Sequence, residues 1–282
     1  MKKIIILVFV VFGLQFTIAN AQTDSTKPKF TSHNKGKIFI SWGGNRDSFT
    51  KSDITFKGKD YNFTLDNVAA HDKPKGWHID YINPSRLTIP QTNFRLGYFI
   101  NNHYCIAISL DHMKYVIYQD RAVKIDGYYP NVGSFDELIS ARPNEILLTE
   151  KFLKFEHTDG LNYVHTEFSR QDDISTIFKI ANIDKIQINL TEGVGFGLLY
   201  PKTNATLLGK PRHDDFHVSG YGTSLKAGVN LTFFKFFYIQ GELKGGYINM
   251  QDIRTTESAD DKASQNFFFF QRIIQFGGIF KV

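Results

Sequence analysis

Apolar and polar residues alternate with a period of two along the stretch 220–250. Successive side chains of a β-strand point to opposite faces, so this period indicates strands. The alternation breaks at 234–236, where a tight turn would join two long strands into a hairpin. The apolar positions are Leu225, Ala227, Val229, Leu231, Phe233, Phe237, Ile239, Leu243 and Tyr247.

The opposite face of this hairpin carries charged residues. Lys226, Glu242 and Lys244 stand between the apolar positions. Each strand is about ten residues long or more, which is the length that crosses a bilayer when a strand is tilted. An apolar face and a polar face on such strands are typical of the lipid-facing and lumen-facing walls of a transmembrane barrel. The stretch therefore predicts an all-β fold of this class.

Six further stretches alternate in the same way. With the two strands of the hairpin they make eight. Long connections follow the first, third, fifth and seventh strands, as a barrel with short periplasmic turns and long outer loops requires. The prediction is one antiparallel barrel of eight strands, with ten or twelve as the alternative if part of 52–83 crosses the membrane. The six stretches are 36–43, 91–100, 103–118, 161–169, 185–200 and 264–282.

The connections between these strands differ in character. Segment 44–90 is expected outside the cell, with a hairpin at 53–65 around a glycine-containing turn. Charge, glycine and proline predict loops at 119–160, 201–217 and 251–263. Segment 171–183 is expected to form a short helix that is capped by Asp172 or Asp173.

The N-terminus has the features of a cleaved export signal. Lys2 and Lys3 precede an apolar run at 4–14, and Ala19 and Ala21 form a cleavage site. We expect a signal peptide at 1–21, a periplasmic lead at 22–35 and the barrel at 36–282. An uncleaved membrane anchor is the alternative, but the apolar run is short for a spanning helix.

The composition and charge of the chain limit which partners, disulfides and metal sites can be expected. The formal charge is +5, and removing Lys2 and Lys3 leaves +3, which gives no reason to expect a nucleic-acid partner. The single cysteine, Cys105, cannot form an internal disulfide. The segment 213–217 contains metal-ligand residue types, but its spacing matches no defined site. We therefore expect neither a metal nor a cofactor.

The predicted lumen-facing positions include several charges. An eight-stranded barrel is just wide enough for side chains to fill it. Buried charges must be paired, so the first expectation is a structural salt-bridge plug. A gated path or pocket for a small solute is the alternative. The candidate lumen network is Arg95, Asp111, His165, Glu167, Lys226, Glu242 and Lys244.

Two charged residues break the pattern. Glu192 and Arg272 occupy positions with the parity of apolar, lipid-facing residues. A charge in the middle of a bilayer costs about 2–4 kcal/mol for Arg and less for Glu. We expect either a β-bulge that turns each side chain inward or a location at the end of the apolar band.

An enzymatic function is an alternative hypothesis. His165 and Glu167 share a face, and Ser109, Asp111 and Ser169 could lie near them. A nucleophile needs a base within hydrogen-bond reach, which the sequence does not show. The expectation is that the protein is not an enzyme, with a lipid-modifying hydrolase or acyltransferase as the alternative.

The signal peptide, the hairpin at 220–250 and the terminal strand IIQFGGIFKV (273–282) resemble the small bacterial outer-membrane barrels of the OmpA-transmembrane, OmpX and OmpW type. This resemblance implies a location in the outer membrane, contact with its lipid, and recognition of the terminal strand by the barrel assembly machinery. We expect a structural or binding role, in which the protein either stabilises the envelope or contacts an extracellular ligand through its long loops. A narrow channel for small solutes is the alternative.

Overall fold

The computed structural model describes residues 33–76, 78, 90–139 and 144–281. The predicted signal peptide and most of the predicted lead fall outside these ranges. Within them the chain forms antiparallel strands and one short 3₁₀ helix, Ser175–Phe178. No helix in these ranges is long and apolar enough to cross a membrane. The strands are β1 (Lys37–Phe49), β2 (Ser52–Lys57), β3 (Asn62–Val68), β4 (Ala70–His71), β5 (Thr92–Phe99), β6 (Tyr104–Ile117), β7 (Ala122–Tyr128), β8 (Leu138–Ile139), β9 (Glu145–Leu147), β10 (Leu153–Asp173), β11 (Ile186–Leu199), β12 (Asn204–Leu207), β13 (Gly220–Phe233), β14 (Phe237–Arg254) and β15 (Lys262–Lys281).

Eight of these strands close into a ring. Their order is β1-β5-β6-β10-β11-β13-β14-β15, and β15 pairs back onto β1. The predicted eight-stranded antiparallel barrel is thus confirmed. The alternative of ten or twelve strands is wrong for the described chain, because β2 and β3 pair with each other and with β15 and β7 outside the ring.

The stagger of the ring follows from the strand register. Trp42 pairs directly with Phe276 across the closing seam. The path of lateral partners from Trp42 around the other seven strands reaches β15 at Asn266, ten residues away. A barrel of eight strands with this stagger has strongly tilted strands and an interior that side chains fill.

The outside of the ring carries an apolar belt. We use the name belt region for the part of the eight ring strands that carries this apolar belt, including the inward side chains at the same level. Its outward side chains are large, apolar and exposed all the way round, which suits a hydrocarbon environment. They include Ile40, Leu96, Tyr98, Ile106, Ile108, Phe168, Val194, Phe196, Leu225, Val229, Leu243, Ile274, Phe276 and Phe280.

Beyond the belt, on the side of the long connections, the chain builds a second layer that we call the cap region. It contains β2–β4, β7–β9, β12 and the adjoining ends of the ring strands. The strands β2, β3, β7, β9 and β8 continue the sheet outward from the end of β15. Apolar side chains fill the centre of this region, including Ile54, Phe56, Phe63, Leu65, Met113, Tyr115, Phe152, Phe155, Leu161, Ile248, Met250 and Phe267.

The cap region corrects several sequence predictions. The hairpin expected at 53–65 forms as β2 and β3. The loop predicted at 119–160 is wrong, because β7, β8, β9 and the start of β10 occupy it. The loops at 201–217 and 251–263 are shortened by β12 and by the longer β14 and β15. β7 and β12 pair with segments distant in sequence, so local alternation alone did not reveal them.

The helix predicted at 171–183 is reduced to four residues. β10 continues to Asp173, which pairs with Asn189 on β11. The N-cap residue is Ile174, which makes no side-chain capping hydrogen bond, so the expected cap by Asp172 or Asp173 is wrong. The carboxylate of Asp173 accepts a hydrogen bond from the Ser175 backbone N–H at 2.8 Å. The first residues of the predicted helix therefore belong to strand β10 instead.

Candidate functional site

The seven predicted lumen residues all point into the belt region of the barrel. They lie on β5, β6, β10, β13 and β14, and each is at most 9% exposed. Three cations, Arg95, Lys226 and Lys244, face three carboxylates, Asp111, Glu167 and Glu242. The formal charges of these six residues cancel, which is what a water-poor interior requires.

Glu167 is the centre of this network. Its Oε2 atom lies 2.7 Å from Arg95 Nε and 2.6 Å from Lys226 Nζ. Its Oε1 atom accepts a hydrogen bond from Lys244 Nζ at 2.9 Å and lies 3.0 Å from His165 Nε2. One carboxylate thus joins side chains from four strands, so its loss would leave several buried cations with fewer partners.

The other two carboxylates complete the network on either side. Asp111 accepts a hydrogen bond from Lys244 Nζ at 2.6 Å. Glu242 accepts one from Arg95 Nη2 at 3.1 Å and lies 3.5 Å from Lys226 Nζ. Lys244 is fully buried, with two carboxylates within 3 Å of its ammonium group. These contacts form a plug across the lumen.

Neutral amides extend the plug, and sequence reasoning did not single them out. Gln275 accepts a hydrogen bond from Arg95 Nη1 at 2.9 Å, and Gln240 donates to Glu242 at 2.8 Å. Asn230 donates to Gln240 at 3.2 Å and accepts from Asn189 at 3.2 Å. Their inward parity was readable, but an amide gives no charge signal that separates it from a surface residue.

Inward-facing glycines on β11 make room for the charged side chains. A Cβ atom at Gly195 would lie 2.6 Å from Ser224 Oγ and 3.0 Å from His165 Cδ2. A Cβ atom at Gly193 would lie 2.5 Å from Ser169 Oγ and 2.9 Å from Lys226 Cε. The alternation of glycine with apolar residues on β11 is therefore a packing requirement of the plug.

The plug ends at a stacked pair on the side of the cap region. The Tyr163 and His165 rings lie 4.0 Å apart at an interplanar angle of 6°. Tyr163 is fully buried in the apolar core of the cap region, and its hydroxyl donates to the Gly222 carbonyl at 3.0 Å. Paired charges therefore border directly on an apolar core.

On the opposite side of the plug there is a small cavity of about 30 Å³. Arg95 and Lys226 border it from the plug, and Phe39, Phe99 and Tyr238 line it from the barrel wall. A space of this size holds about one water molecule. This cavity is therefore too small for a larger solute.

Glu192 and Arg272 both keep their outward parity. The β10–β11 and β11–β13 ladders run through Glu192 without a register shift, and so do the β1–β15 and β14–β15 ladders at Arg272. The expected inward-turning bulges are therefore wrong at both positions. Glu192 lies directly opposite Arg170 on β10, and Arg272 lies opposite Arg46 on β1.

The residues considered for catalysis lie deep in the interior. Ser109 and His165 are direct register partners, but His165 is enclosed and its Nε2 atom faces Glu167 and Lys244. The segment 213–217 places His217 2.8 Å from Asp252. No group of three or more His, Cys, Asp or Glu side chains within the described ranges could hold a metal ion.

No protein-family model and no curated protein sequence matches this chain. The structure is similar to the outer membrane protein OprG from Pseudomonas aeruginosa, at 9% identity and a TM-score of 0.37, over 88% of this chain and 98% of that chain. It is also similar to Neisserial surface protein A, at 9% identity and a TM-score of 0.29, over 84% and 97% of the two chains. The fold assignment itself rests on the closed strand ladder.

Proposed function

We propose that this protein is a non-conducting barrel of the bacterial outer membrane, with a structural or binding role that its cap region carries out outside the cell. The observation that carries the proposal is the filled interior. A solute in the lumen would have to separate Lys244 from Asp111 and Glu167 and then enter an apolar core. Both steps have a high free-energy cost, because they strip buried charges of their partners and bury polar groups without any.

The belt supports this proposed location. An even number of antiparallel strands, an apolar outer ring, and short turns on one side with long connections on the other support a bacterial outer-membrane barrel. In that orientation the turn after β13 is periplasmic and the cap region lies outside the cell.

The cap region offers a surface for contact with a partner. Among the described strands β8 lies at the edge of the sheet, and its residues Leu138 and Ile139 are 63% and 59% exposed. An edge strand with exposed apolar side chains can bind through both backbone and side-chain contacts. This favours a binding role over a purely structural one.

Planar-bilayer recording tests the closed lumen. The purified protein is first shown to be folded by its shift in SDS electrophoresis with and without boiling. It is then inserted beside a porin that reports the sensitivity of the bilayer. We expect no unitary currents, whereas steady single-channel steps would overturn the proposal in favour of a narrow channel for small solutes.

Lipid hydrolysis is tested separately. Wild-type protein and a His165→Ala variant are incubated with phospholipid vesicles, and free acyl chains are measured. We expect equal and background release from both. Release by the wild type that the substitution abolishes would show an enzyme in place of a binding protein.

A further inference from the structure

The small cavity below the plug, on the side away from the cap region, is bordered by cations and not by acids. Its volume is about 30 Å³, and Arg95 and Lys226 border it from the plug. Among the described residues, no Asp or Glu lines it. The carboxylates that pair with these two cations, Glu167 and Glu242, belong to the plug. The charges at the lining therefore favour an anion over a cation.

Two polar residues of the lining have hydrogen-bond donors that the protein leaves unused. Gln171 on β10 and Thr191 on β11 are direct register partners, and each is 6% exposed. Within the described ranges, Gln171 Nε2 and Thr191 Oγ1 have no hydrogen-bond partner. A buried donor without an acceptor loses its interaction with water and gains nothing in return. The two donors therefore mark a position where an acceptor would stabilise the barrel.

The other amides of the lining have acceptor atoms that are already in use. Asn230 Oδ1 accepts hydrogen bonds from Asn189 and Thr232, and Gln240 Oε1 accepts one from Asn230. Each amide nitrogen carries two N–H groups, and the Lys226 ammonium group carries three. The lining thus offers more donors than acceptors. A water molecule here would bring two hydrogens that need acceptors, whereas a small anion accepts from every side.

Cations also stand between the cavity and the end of the barrel that carries the short turns. Phe39 and Ile279 line the cavity and are register partners, and the next inward pair toward that end is Lys37 and Lys281. The two lysines lie close enough for their charges to repel. A basic entrance raises the local concentration of anions. The approach from this end therefore also favours an anion.

We propose that the cavity is a binding site for one small monovalent anion, chloride, held by Gln171 Nε2, Thr191 Oγ1 and the ammonium group of Lys226. A halide ion is only slightly larger than a water molecule, so it suits a cavity that holds about one water. Sulfate and phosphate are too large for this space. The bound anion would give both unused donors an acceptor and leave Lys226 paired with Glu167. The site requires only the folded barrel, so it goes beyond the proposed role in the outer membrane.

Two identical substitutions separate this site from its surroundings. Gln171→Met removes a donor from the lining. Gln187→Met is the matched control, because Gln187 is 7% exposed, has an Nε2 atom without a partner in the described chain, and does not line the cavity. Thr191→Val is a second test variant, which removes the hydroxyl group with little change in volume. Removing an unpaired buried donor should not prevent folding.

The first measurement is the unfolding temperature in a non-ionic detergent, followed by the circular dichroism of the strands. Sodium chloride replaces sodium gluconate at constant ionic strength. We expect chloride to raise the unfolding temperature of the wild type and of Gln187→Met, because a ligand that binds only the folded state stabilises it. Gln171→Met and Thr191→Val should need about tenfold more chloride for the same rise, since each loses one hydrogen bond to a charged group.

The second measurement locates the ion. Crystals of the wild type and of both test variants are grown with bromide, and anomalous diffraction is recorded. We expect one bromide peak beside Gln171 and Thr191 in the wild type, and a weaker peak or none in the variants.

Several results would overturn the proposal. One is an unfolding temperature that is the same in chloride and gluconate, and another is an equal rise in all four proteins. A bromide peak without the chloride effect in solution would show binding at crystal concentration only, and no peak would indicate a water site. If Gln171→Met does not fold, Thr191→Val still decides the question. Single-channel currents would contradict the closed lumen but would leave this comparison of variants unchanged.

Discussion

The belt region and the cap region are built from the same strands but have opposite chemistry. On β6 the inward residue Asp111 belongs to the salt-bridge plug, and the next inward residue, Met113, belongs to the apolar core. On β15 the same change occurs between Gln271 and Phe269. The side-chain alternation continues through both regions, so the direction of each side chain is constant while its chemistry reverses.

The difference shows that the environment outside the sheet decides the chemistry inside it. Around the belt the outward positions must be apolar, and the inward positions can therefore hold the charges. Around the cap most outward positions are polar, such as Asp53, Thr55 and Lys57 on β2, and burial of apolar side chains inside is the main source of stability. One ring of strands thus contains both a membrane-protein interior and a water-soluble-protein interior.

The largest expected effect comes from exchanging the two chemistries on one strand. Asp111→Met with Met113→Asp keeps the composition but leaves Lys244 with one partner fewer and buries a carboxylate in the apolar core. Breaking a buried pair alone costs about 3–5 kcal/mol. We expect no SDS-resistant barrel, whereas the control exchange Ile108→Leu with Leu110→Ile should fold. A stable double variant would show that the boundary is not fixed at this position.

The next effect should be confined to the cap region. Phe152 is fully buried and packs against Phe63 and Tyr129. Phe152→Ala should cost about 3–5 kcal/mol. We expect rapid protease cleavage within 119–152 while the barrel still shifts on heating. Phe178→Ala, at an exposed position on the short helix, is the control and should change neither readout. Simultaneous loss of the barrel would show that the two regions unfold together.

A smaller effect should separate the two faces of β13. Val229 is outward and 44% exposed, and Asn230 is inward and buried. Val229→Asp places a charge in lipid, at a cost somewhat below the roughly 2–4 kcal/mol of Arg or Lys. Asn230→Asp keeps the oxygen that accepts from Asn189 and Thr232 and loses the single hydrogen bond that Asn230 donates to Gln240. Quantified outer-membrane levels should fall far more for the first variant, and equal levels would contradict the assigned faces.

The smallest effect depends on pH and lies in the cap region. Partial burial alone would raise the pKa of Asp261, but hydrogen bonds from Thr256 and Lys210 hold it below its ordinary value. A lowered pKa stabilises the fold fully above the ordinary value of about 3.9, and this contribution disappears as pH falls through the folded-state pKa. Cleavage of the cap by pepsin should therefore accelerate below about pH 4.

The Asp261→Asn variant is the check on this pH effect. It should be cleaved faster at higher pH and show a weaker pH dependence, with a stability loss of about 1 kcal/mol. Glu257→Gln, at an exposed position of the same connection, serves as the control. If the rate of cap cleavage in the Asp261→Asn variant depended on pH as in the wild type, the pH effect would have to come from another titratable group.

The belt region was largely predictable from the sequence, because its two environments impose a strict alternation. The parity of Lys226, Glu242 and Lys244 was sufficient to predict that their side chains point inward. Their mutual distances were not predictable, since they join strands that only ring closure brings together. The direction of the Arg272 side chain was also not predictable. The same local sequence is compatible with a bulge that turns the side chain inward and with a regular strand that leaves it outward.

The cap region was predicted poorly for a physical reason. Its strands, such as β7 and β12, are short and pair with partners distant in the chain. The outer face of the cap strands contacts water and needs no stripe of lipid-facing apolar residues. Their sequences are therefore short apolar runs between charged residues, which resemble the sequences of loops. The hairpin of β2 and β3 was found because its strands are neighbours in sequence.

The double pairing of the last strand has a consequence for the order of folding. β15 pairs with β1 along Phe269–Lys281 and with β2 along Lys262–Gln265, while β14 covers its other edge. β1 and β15 meet here, so this contact has a very large sequence separation and is slow to form. Neither the ring nor the outer sheet can be completed until β15 has docked. A single late step therefore completes both halves of the molecule, and a chain truncated before β15 should remain open in both.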